Sequence, residues 1–130
     1  MKGREGYKKL VAWKNARELR ALVFQLTSTF PRSEMRRVSQ MRDAARSVKQ
    51  NIQEGYQRRS LGEYIRGLDI SKASLAELQG DLEDCREDEV LSSEAFEQAY
   101  DLCKRTDYIF VRLIQALYRK RRDESGRPQS

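Results

Sequence analysis

The residues with the clearest capacity for chemistry are the arginines and lysines in the first half of the chain. Arg42, Arg46 and Lys49 recur at steps of four and three, which places them on one face of a helix. Such a face neutralises phosphates without reading base sequence. Tyr56, in the basic turn that follows, can stack on an unpaired base. The complete predicted nucleic-acid-binding set is Arg36, Arg37, Arg42, Arg46, Lys49, Arg58 and Arg59.

Residues used in catalysis are sparse. The sequence has no histidine, which excludes Ser-His-Asp and Cys-His catalysis and the Glu-x-x-His pairs of di-iron bundles. Two cysteines without histidine argue against a structural zinc site, and no glycine-rich phosphate loop is present. The acidic cluster from Glu83 to Glu89 is interpreted as a solvated turn. We therefore expect no catalytic residue, no metal and no cofactor: the protein is not an enzyme.

Apolar periodicity predicts the helices that position these side chains. Four amphipathic segments, at about residues 9–29, 34–54, 61–85 and 93–120, repeat apolar residues at steps of three and four. Short connections join them. The sequence therefore predicts an all-α fold, an antiparallel up-down-up-down four-helix bundle with frayed termini that forms a single domain over residues 1–130. The tail is expected to fray from Tyr118, and residues 1–8 are expected to form an arm.

Local signals predict where the helices begin and end. Ser33 is a candidate cap for the second helix, and Gly55 is predicted to end it in the left-handed conformation. Ser60 begins a capping box for the third helix. Ser92 or Ser93 is the candidate cap for the fourth.

Two features allow competing interpretations. Trp13, which lies near Arg17 and Arg20 in the sequence, either packs in the core or an interface or stacks on a base, and we favour packing. A polar line along the second helix either recognises a ligand or fixes the neighbouring helix through hydrogen bonds, and we favour the structural role. Its members are Gln40, Ser47, Asn51 and Glu54.

The net charge of +6 hides an uneven distribution. Residues 1–59 hold 15 Lys/Arg and 5 Asp/Glu, residues 60–118 hold 6 and 13, and residues 119–130 hold 5 and 2. Such a division favours a polyanionic partner or head-to-tail pairing between copies. Apolar residues outside the main core positions indicate a second buried surface, and hence a homo-oligomer. They are Ile70, Ala73, Leu102, Ile109 and Ile114.

Cysteine use and hydropathy bear on the compartment. Cys85 and Cys103 fall at core positions, which predicts buried, reduced thiols, although a disulfide between them is an alternative. No apolar run approaches the roughly 18 residues of a membrane span, and no secretory signal is visible. We expect a cytoplasmic protein without a membrane partner.

The run Ser39–Gly55, SQMRDAARSVKQNIQEG, resembles the signature of the four-helix-bundle proteins encoded in bacterial 23S ribosomal RNA intervening sequences. In that family the pattern is close to S-Q-x-R-R-A-A-x-S-I-x-x-N-I-A-E-G. Asp43 replaces the usual arginine, Gln53 replaces a small residue, and the turn after Glu34 is about two residues short. The resemblance covers roughly residues 7–118. Other matches are Leu10-x-x-Trp13 with Ala16, Phe30-Pro31-x-x-Glu34 and Ala73–Leu78.

This resemblance implies a left-handed bundle that assembles into homopentameric rings. A related branch, the accessory protein of diversity-generating retroelements, is a basic pentameric barrel that binds nucleic acid and a reverse transcriptase. Arg42 and Arg46 stand at basic positions of the matched run, and the resemblance makes them candidate RNA contacts.

Two functional hypotheses follow. The first is a non-enzymatic, oligomeric accessory protein that binds RNA or DNA through a basic face of helices one and two. The alternative is a protein–protein interaction module, in which the charge division drives ring self-assembly and docks a protein partner such as a reverse transcriptase.

Overall fold

The computed structural model describes residues 6–126, and nearly all of them are helical. Short 3-10 turns at Gly6–Lys9 and Arg32–Glu34 precede the first and second α-helices. No strand occurs in the described range. The α-helices are α1 (Val11–Thr27), α2 (Met35–Gln57), α3 (Leu61–Glu87) and α4 (Ser93–Gly126).

Four mutually packed helices confirm the predicted all-α class. Each helix packs against the next one along the chain, and α4 also packs against α1. Ser47 of α2 meets Ser74 of α3, and Lys72 of α3 pairs with Asp107 of α4 at 3.2 Å. The complete up-down-up-down order and the left-handed twist stay predictions.

The core contains the residues that the helical period placed inside. The largest fully buried side chains come from all four helices and include Leu19, Met41, Ile52, Leu75 and Phe110. Burying each of them contributes about 1.5–3 kcal/mol relative to exposure. The core is thus continuous across the bundle.

The apolar face of α4 corrects one prediction. Leu102 and Ile114 are only 3% and 9% exposed, because they pack into the core of their own chain. They therefore do not indicate a second buried surface. Ile70 does lie outside the core, at 41% exposure. Cys85 and Cys103 are buried and free, as predicted, so the disulfide alternative was wrong.

The end of α2 corrects the prediction for Gly55. The helix continues to Gln57, and the residue with positive φ is Arg59, at 62°. Gly55 is buried where α2 passes α3. A Cβ there would lie 2.9 Å from the carbonyl oxygen of Glu63 and 3.1 Å from the Cα of Gly67. Glycine permits a close helix approach here and does not end the helix.

Side-chain caps agree with two of the three predictions. The Ser60 hydroxyl accepts a hydrogen bond from the backbone N–H of Glu63 at 3.1 Å, which is the serine half of the predicted capping box. The Ser92 hydroxyl accepts a hydrogen bond from the backbone N–H of Ala95 at 3.1 Å, so Ser92 caps α4. The prediction for Ser33 was wrong. It lies in a 3-10 turn, and α2 begins after Glu34 without a side-chain cap.

Helical structure extends further toward both ends of the described chain than predicted. The helix α4 continues past Tyr118 to Gly126, and Tyr7 is buried within the first 3-10 turn. Residues 1–5 and 127–130, which the predicted arm and tail include, lie outside the described residues. Within residues 6–126, no helix combines the length and apolar character needed to cross a membrane.

Replacing Gly67 with alanine should separate α2 from α3. The new Cβ would collide with the carbonyl oxygen of Asn51 and lie 3.1 Å from the Cα of Gly55, and backbone atoms cannot rotate away. We expect Gly67→Ala to lower the free energy of unfolding by about 2 kcal/mol or more in urea titrations.

Gly80→Ala is the matched control in the same helix, because a Cβ there meets nothing within 4 Å. It should raise stability by about 0.5–1 kcal/mol through helix propensity alone. Equal stabilisation by both substitutions would contradict the close approach.

Candidate nucleic-acid interface

The structure divides the predicted basic residues between two sides of α2. Arg42, Arg46 and Lys49 lie on the side that faces α1, where Arg42 and Lys49 contact α1 side chains. Arg36 and Arg37 lie near the start of α2, on the side of α3. One continuous basic stripe is therefore not formed.

Arg37 is held by carboxylates of its own chain. Its Nη2 lies 2.9 Å from Asp88 Oδ2 and its Nε lies 2.9 Å from Glu34 Oε2. Its Nη1 also contacts the sulfur of Cys85 at 3.8 Å. Arg36 lines the same groove, which also contains three aspartates. Arg37 thus joins α2 to the acidic end of α3 and is poorly placed to meet phosphates, whereas Arg36 is exposed.

Arg42 binds the last turn of α1. Its Nε donates to the Thr27 hydroxyl at 2.9 Å, and its Nη2 donates to the Ser28 hydroxyl at 3.3 Å and the Phe24 carbonyl at 3.4 Å. The guanidinium carbon lies 4.1 Å from the centre of the Phe24 ring. A cation at a helix C-terminus satisfies free carbonyls and complements the helix dipole. Arg42 thus ties α1 to α2.

Four other cations from two helices form what we call the α1–α2 basic face: Arg17 and Arg20 of α1 with Arg46 and Lys49 of α2. The guanidinium carbon of Arg17 and the Nζ of Lys49 lie 5.9 Å and 5.8 Å from the centre of the Trp13 ring. Burial lowers the pKa of Lys49, and the charges of Arg20, Arg46 and Arg17 lower it further. Lys49 is therefore close enough to each of the three arginines to be repelled by it.

The α1–α2 basic face has no carboxylate partner in the described part of the chain. The ion pairs there join Arg37, Lys72 and Arg105 to acidic residues, and none involves these four cations. Every charged group that shifts the pKa of Lys49 is itself a cation. The face is thus an uncompensated positive surface, which attracts anions.

Sequence reasoning did not name Arg17 and Arg20 as contacts, although a signal was present. Trp13, Arg17, Arg20 and Phe24 recur at steps of four, three and four, the same period as the basic residues of α2. Only the packing of α1 against α2 brings the two sets together.

Trp13 is buried under the cations Arg17 and Lys49 of the basic face. It is 7% exposed, which confirms its predicted packing role. Its Nε1 donates to Gln53 Oε1 at 3.2 Å, and the Tyr7 ring meets it edge-on with centroids 5.2 Å apart. Gln53, which departs from the small residue of the family pattern, thus accepts a hydrogen bond from the indole N–H. A buried ring cannot serve as a stacking platform for a base.

The polar line of α2 faces α3. Ser47 and Ser74 share a hydrogen bond of 2.7 Å, and Asn51 Nδ2 donates to the Ser47 carbonyl at 2.9 Å. Gln40 Nε2 approaches Asp81 Oδ1 at 3.4 Å. The fourth member, Glu54, is exposed. Gln40 and Ser47 therefore bond to α3, as the structural interpretation requires, while Asn51 bonds to Ser47 within α2.

Arg58 and Arg59 form a separate basic turn at the end of α2. Both are exposed, and Arg58 lies twelve residues beyond Arg46, roughly 18 Å along the helix. Tyr56 is partly buried and meets Tyr64 edge-on, with centroids 5.4 Å apart. No group of three potential metal ligands occurs among the described side chains.

Comparison with known proteins agrees with the resemblance seen in the sequence. The model of the family described as 23S rRNA-intervening sequence protein matches residues 8–111, from the first 3-10 turn into α4. No curated protein matches the chain. The family match covers most of the four packed helices, including every residue of the α1–α2 basic face. The chain therefore belongs to the 23S rRNA-intervening sequence protein family.

Proposed function

We propose that this protein is a non-enzymatic accessory protein that binds RNA or DNA through the α1–α2 basic face. The observation that carries the proposal is the convergence of Arg17, Arg20, Arg46 and Lys49 from two helices, with no carboxylate partner in the described range. The family description refers to 23S rRNA, so a structured RNA is the first ligand to test.

Repulsion between Lys49 and the three neighbouring arginines favours the binding of an anion at this face. Lys49 is disfavoured in its charged form by burial and by three neighbouring cations. A phosphate between them relieves that repulsion and releases the counterions that the polyanion holds. Arginine and lysine on phosphates position a nucleic acid without reading its sequence. The binding is therefore salt-dependent and tolerant of base sequence.

Self-association is a further part of the proposal. The resemblance implies a homopentamer, and several copies of one basic face would raise the avidity for a long polyanion. Buried free thiols at Cys85 and Cys103 are typical of a reducing compartment, which supports our proposal of a cytoplasmic protein.

The alternative function, an interaction module docked through its acidic end, has weaker support. It requires the exposed acids Glu87, Asp88 and Glu89 to meet a basic surface of another copy or of a reverse transcriptase. Asp88 already pairs with Arg37 of its own chain at 2.9 Å. Two acids of the three remain for a partner.

Charge reversal on the basic face should weaken RNA binding. We expect Arg17→Glu/Arg46→Glu to lower affinity for an RNA hairpin by at least about tenfold near 0.1 M salt, because two phosphate contacts become repulsive. The negative slope of log K against log salt should become shallower by about two, since two phosphate contacts are lost. Fluorescence anisotropy across a salt series measures both.

Lys104→Glu/Arg112→Glu is the matched control, since it makes the same charge change at exposed positions of α4. It should leave most of the affinity and of the salt slope intact. Equal losses in the two double variants would show that net charge, and not this face, governs binding.

Alanine substitutions at Arg42 and Arg46 should have different effects, one on stability and the other on RNA binding. Arg42→Ala removes the hydrogen bonds to the end of α1, and we expect it to lower the free energy of unfolding by about 1–2 kcal/mol. Arg46→Ala removes an exposed cation and should change stability by less than about 0.5 kcal/mol while weakening RNA binding. Urea titration with a binding isotherm for each variant tests this; unchanged stability in Arg42→Ala would contradict the capping role.

A further inference from the structure

One exposed aromatic ring borders the α1–α2 basic face. Phe24 of α1 is 53% exposed, whereas Trp13, at the other end of the face, is only 7% exposed. Phe24 belongs neither to the buried core of the described chain nor to the partly buried side chains packed against it. Single exposed apolar side chains are common, so the surroundings of Phe24 decide whether its ring has a role.

Arg42 covers one face of the Phe24 ring and is itself held in place. Its guanidinium carbon lies 4.1 Å from the ring centre. The same guanidinium donates hydrogen bonds to the hydroxyls of Thr27 and Ser28 and to the Phe24 carbonyl. Phe24 nevertheless stays more than half exposed, so part of the ring surface is open beside a fixed cation. A ring held in this way loses little conformational entropy when a ligand stacks on it.

Helical spacing places this ring next to the cations of the basic face. Arg20 lies four residues before Phe24 in α1. Arg46 lies four residues after Arg42, the residue that covers the ring, in α2. Four residues span about 6 Å along a helix axis, and residues at this spacing share one face. Arg20 and Arg46 are both exposed. The open ring therefore lies about one helical turn from two cations that the proposed function assigns to phosphates.

This arrangement has the chemistry of a surface that binds single strands. Such surfaces combine cations along the phosphates with exposed aromatic rings on which bases stack. A guanidinium plane also stacks on bases, so Arg42 enlarges the platform that Phe24 provides. Stacking tolerates any base, because every base has a flat π face. A base inside a duplex is already stacked between its neighbours, so only an unpaired base can reach the ring.

We propose that Phe24, together with Arg42, binds an unpaired nucleobase of a strand whose phosphates contact the α1–α2 basic face. The proposal deepens the proposed function and rests on it, because the cations must hold the strand before a base can reach the ring. Part of the affinity for a single strand therefore comes from Phe24, and none of the affinity for a blunt duplex does. The cations alone supply no such distinction.

Phe24→Ala removes the ring and leaves every cation of the basic face in place. We expect it to bind a short single-stranded RNA at least about fivefold more weakly than the wild-type chain does. Its affinity for a blunt RNA duplex should change by less than about twofold. The salt slope should stay unchanged for both RNAs, because no phosphate contact is lost. Fluorescence anisotropy across a salt series measures all three quantities.

Tyr108→Ala is the matched control. Tyr108 of α4 is 63% exposed, and the guanidinium carbon of Arg112 lies 5.8 Å from its ring centre. It is therefore another exposed ring beside an arginine, but one outside the α1–α2 basic face. This variant should bind both RNAs as the wild-type chain does. Equal losses of single-strand affinity in the two alanine variants would contradict a specific role for Phe24.

Phe24→Leu distinguishes stacking from packing. Leucine keeps an apolar contact for Arg42 but has no flat ring. We expect this variant to unfold at nearly the same urea concentration as the wild-type chain and yet to lose the single-strand affinity, as Phe24→Ala does. Wild-type affinity for the single strand in Phe24→Leu would overturn the proposal.

The two RNAs also separate this proposal from the proposed function. A wild-type chain that binds neither RNA would contradict the proposed function itself. Binding of both RNAs by the wild-type chain, with no change in Phe24→Ala, would overturn only the role of Phe24. Light scattering adds a third test: if Phe24→Ala lowers the mass of an oligomer, the ring belongs to an interface between copies, and the proposal is wrong.

Discussion

The close approach of α2 to α3 is the constraint on which the rest of the bundle depends. Gly55 and Gly67 bring the two backbones together at one end, and the Ser47–Ser74 hydrogen bond joins them near the middle. At the other end, Arg37 joins α2 to Asp88. Three contacts of different chemistry therefore fix the rotation of α2 about its own axis. Once that rotation is fixed, the opposite side of α2 must face α1.

That rotation determines which cations support the fold and which stay available. Arg42 is hydrogen-bonded to the last turn of α1, and Arg37 forms an ion pair with an acid at the far end of α3. Arg46 and Lys49 have no such partner among the described residues, and α1 adds Arg17 and Arg20 beside them. A surface salt bridge contributes little to stability. An unpaired cation held near other cations instead stores electrostatic energy that an anionic ligand can relieve.

The sequence predicted the helices and most of the core, because burial follows the helical period directly. Its errors have physical causes. The sequence predicts a helix stop at Gly55, because glycine suits both a left-handed cap and a close approach, and only the neighbouring backbone distinguishes these uses. Arg42 and Arg46 share one period, yet only Arg42 reaches the end of α1. Ser33 failed as a cap because the chain forms a 3-10 turn there. Such outcomes depend on contacts between helices, which the spacing within one helix does not contain.

Trp13 gives the basic face an optical property. It is the one tryptophan of the chain, and both Arg17 and Lys49 lie within about 6 Å of its ring. Indole emission responds to the electric field around the ring, and that field is set here by the same cations that would meet phosphates. Neutralising them changes the field while the buried ring stays fixed by Gln53 and Tyr7. We therefore expect Trp13 emission to report, without an added label, an anion that binds the α1–α2 basic face.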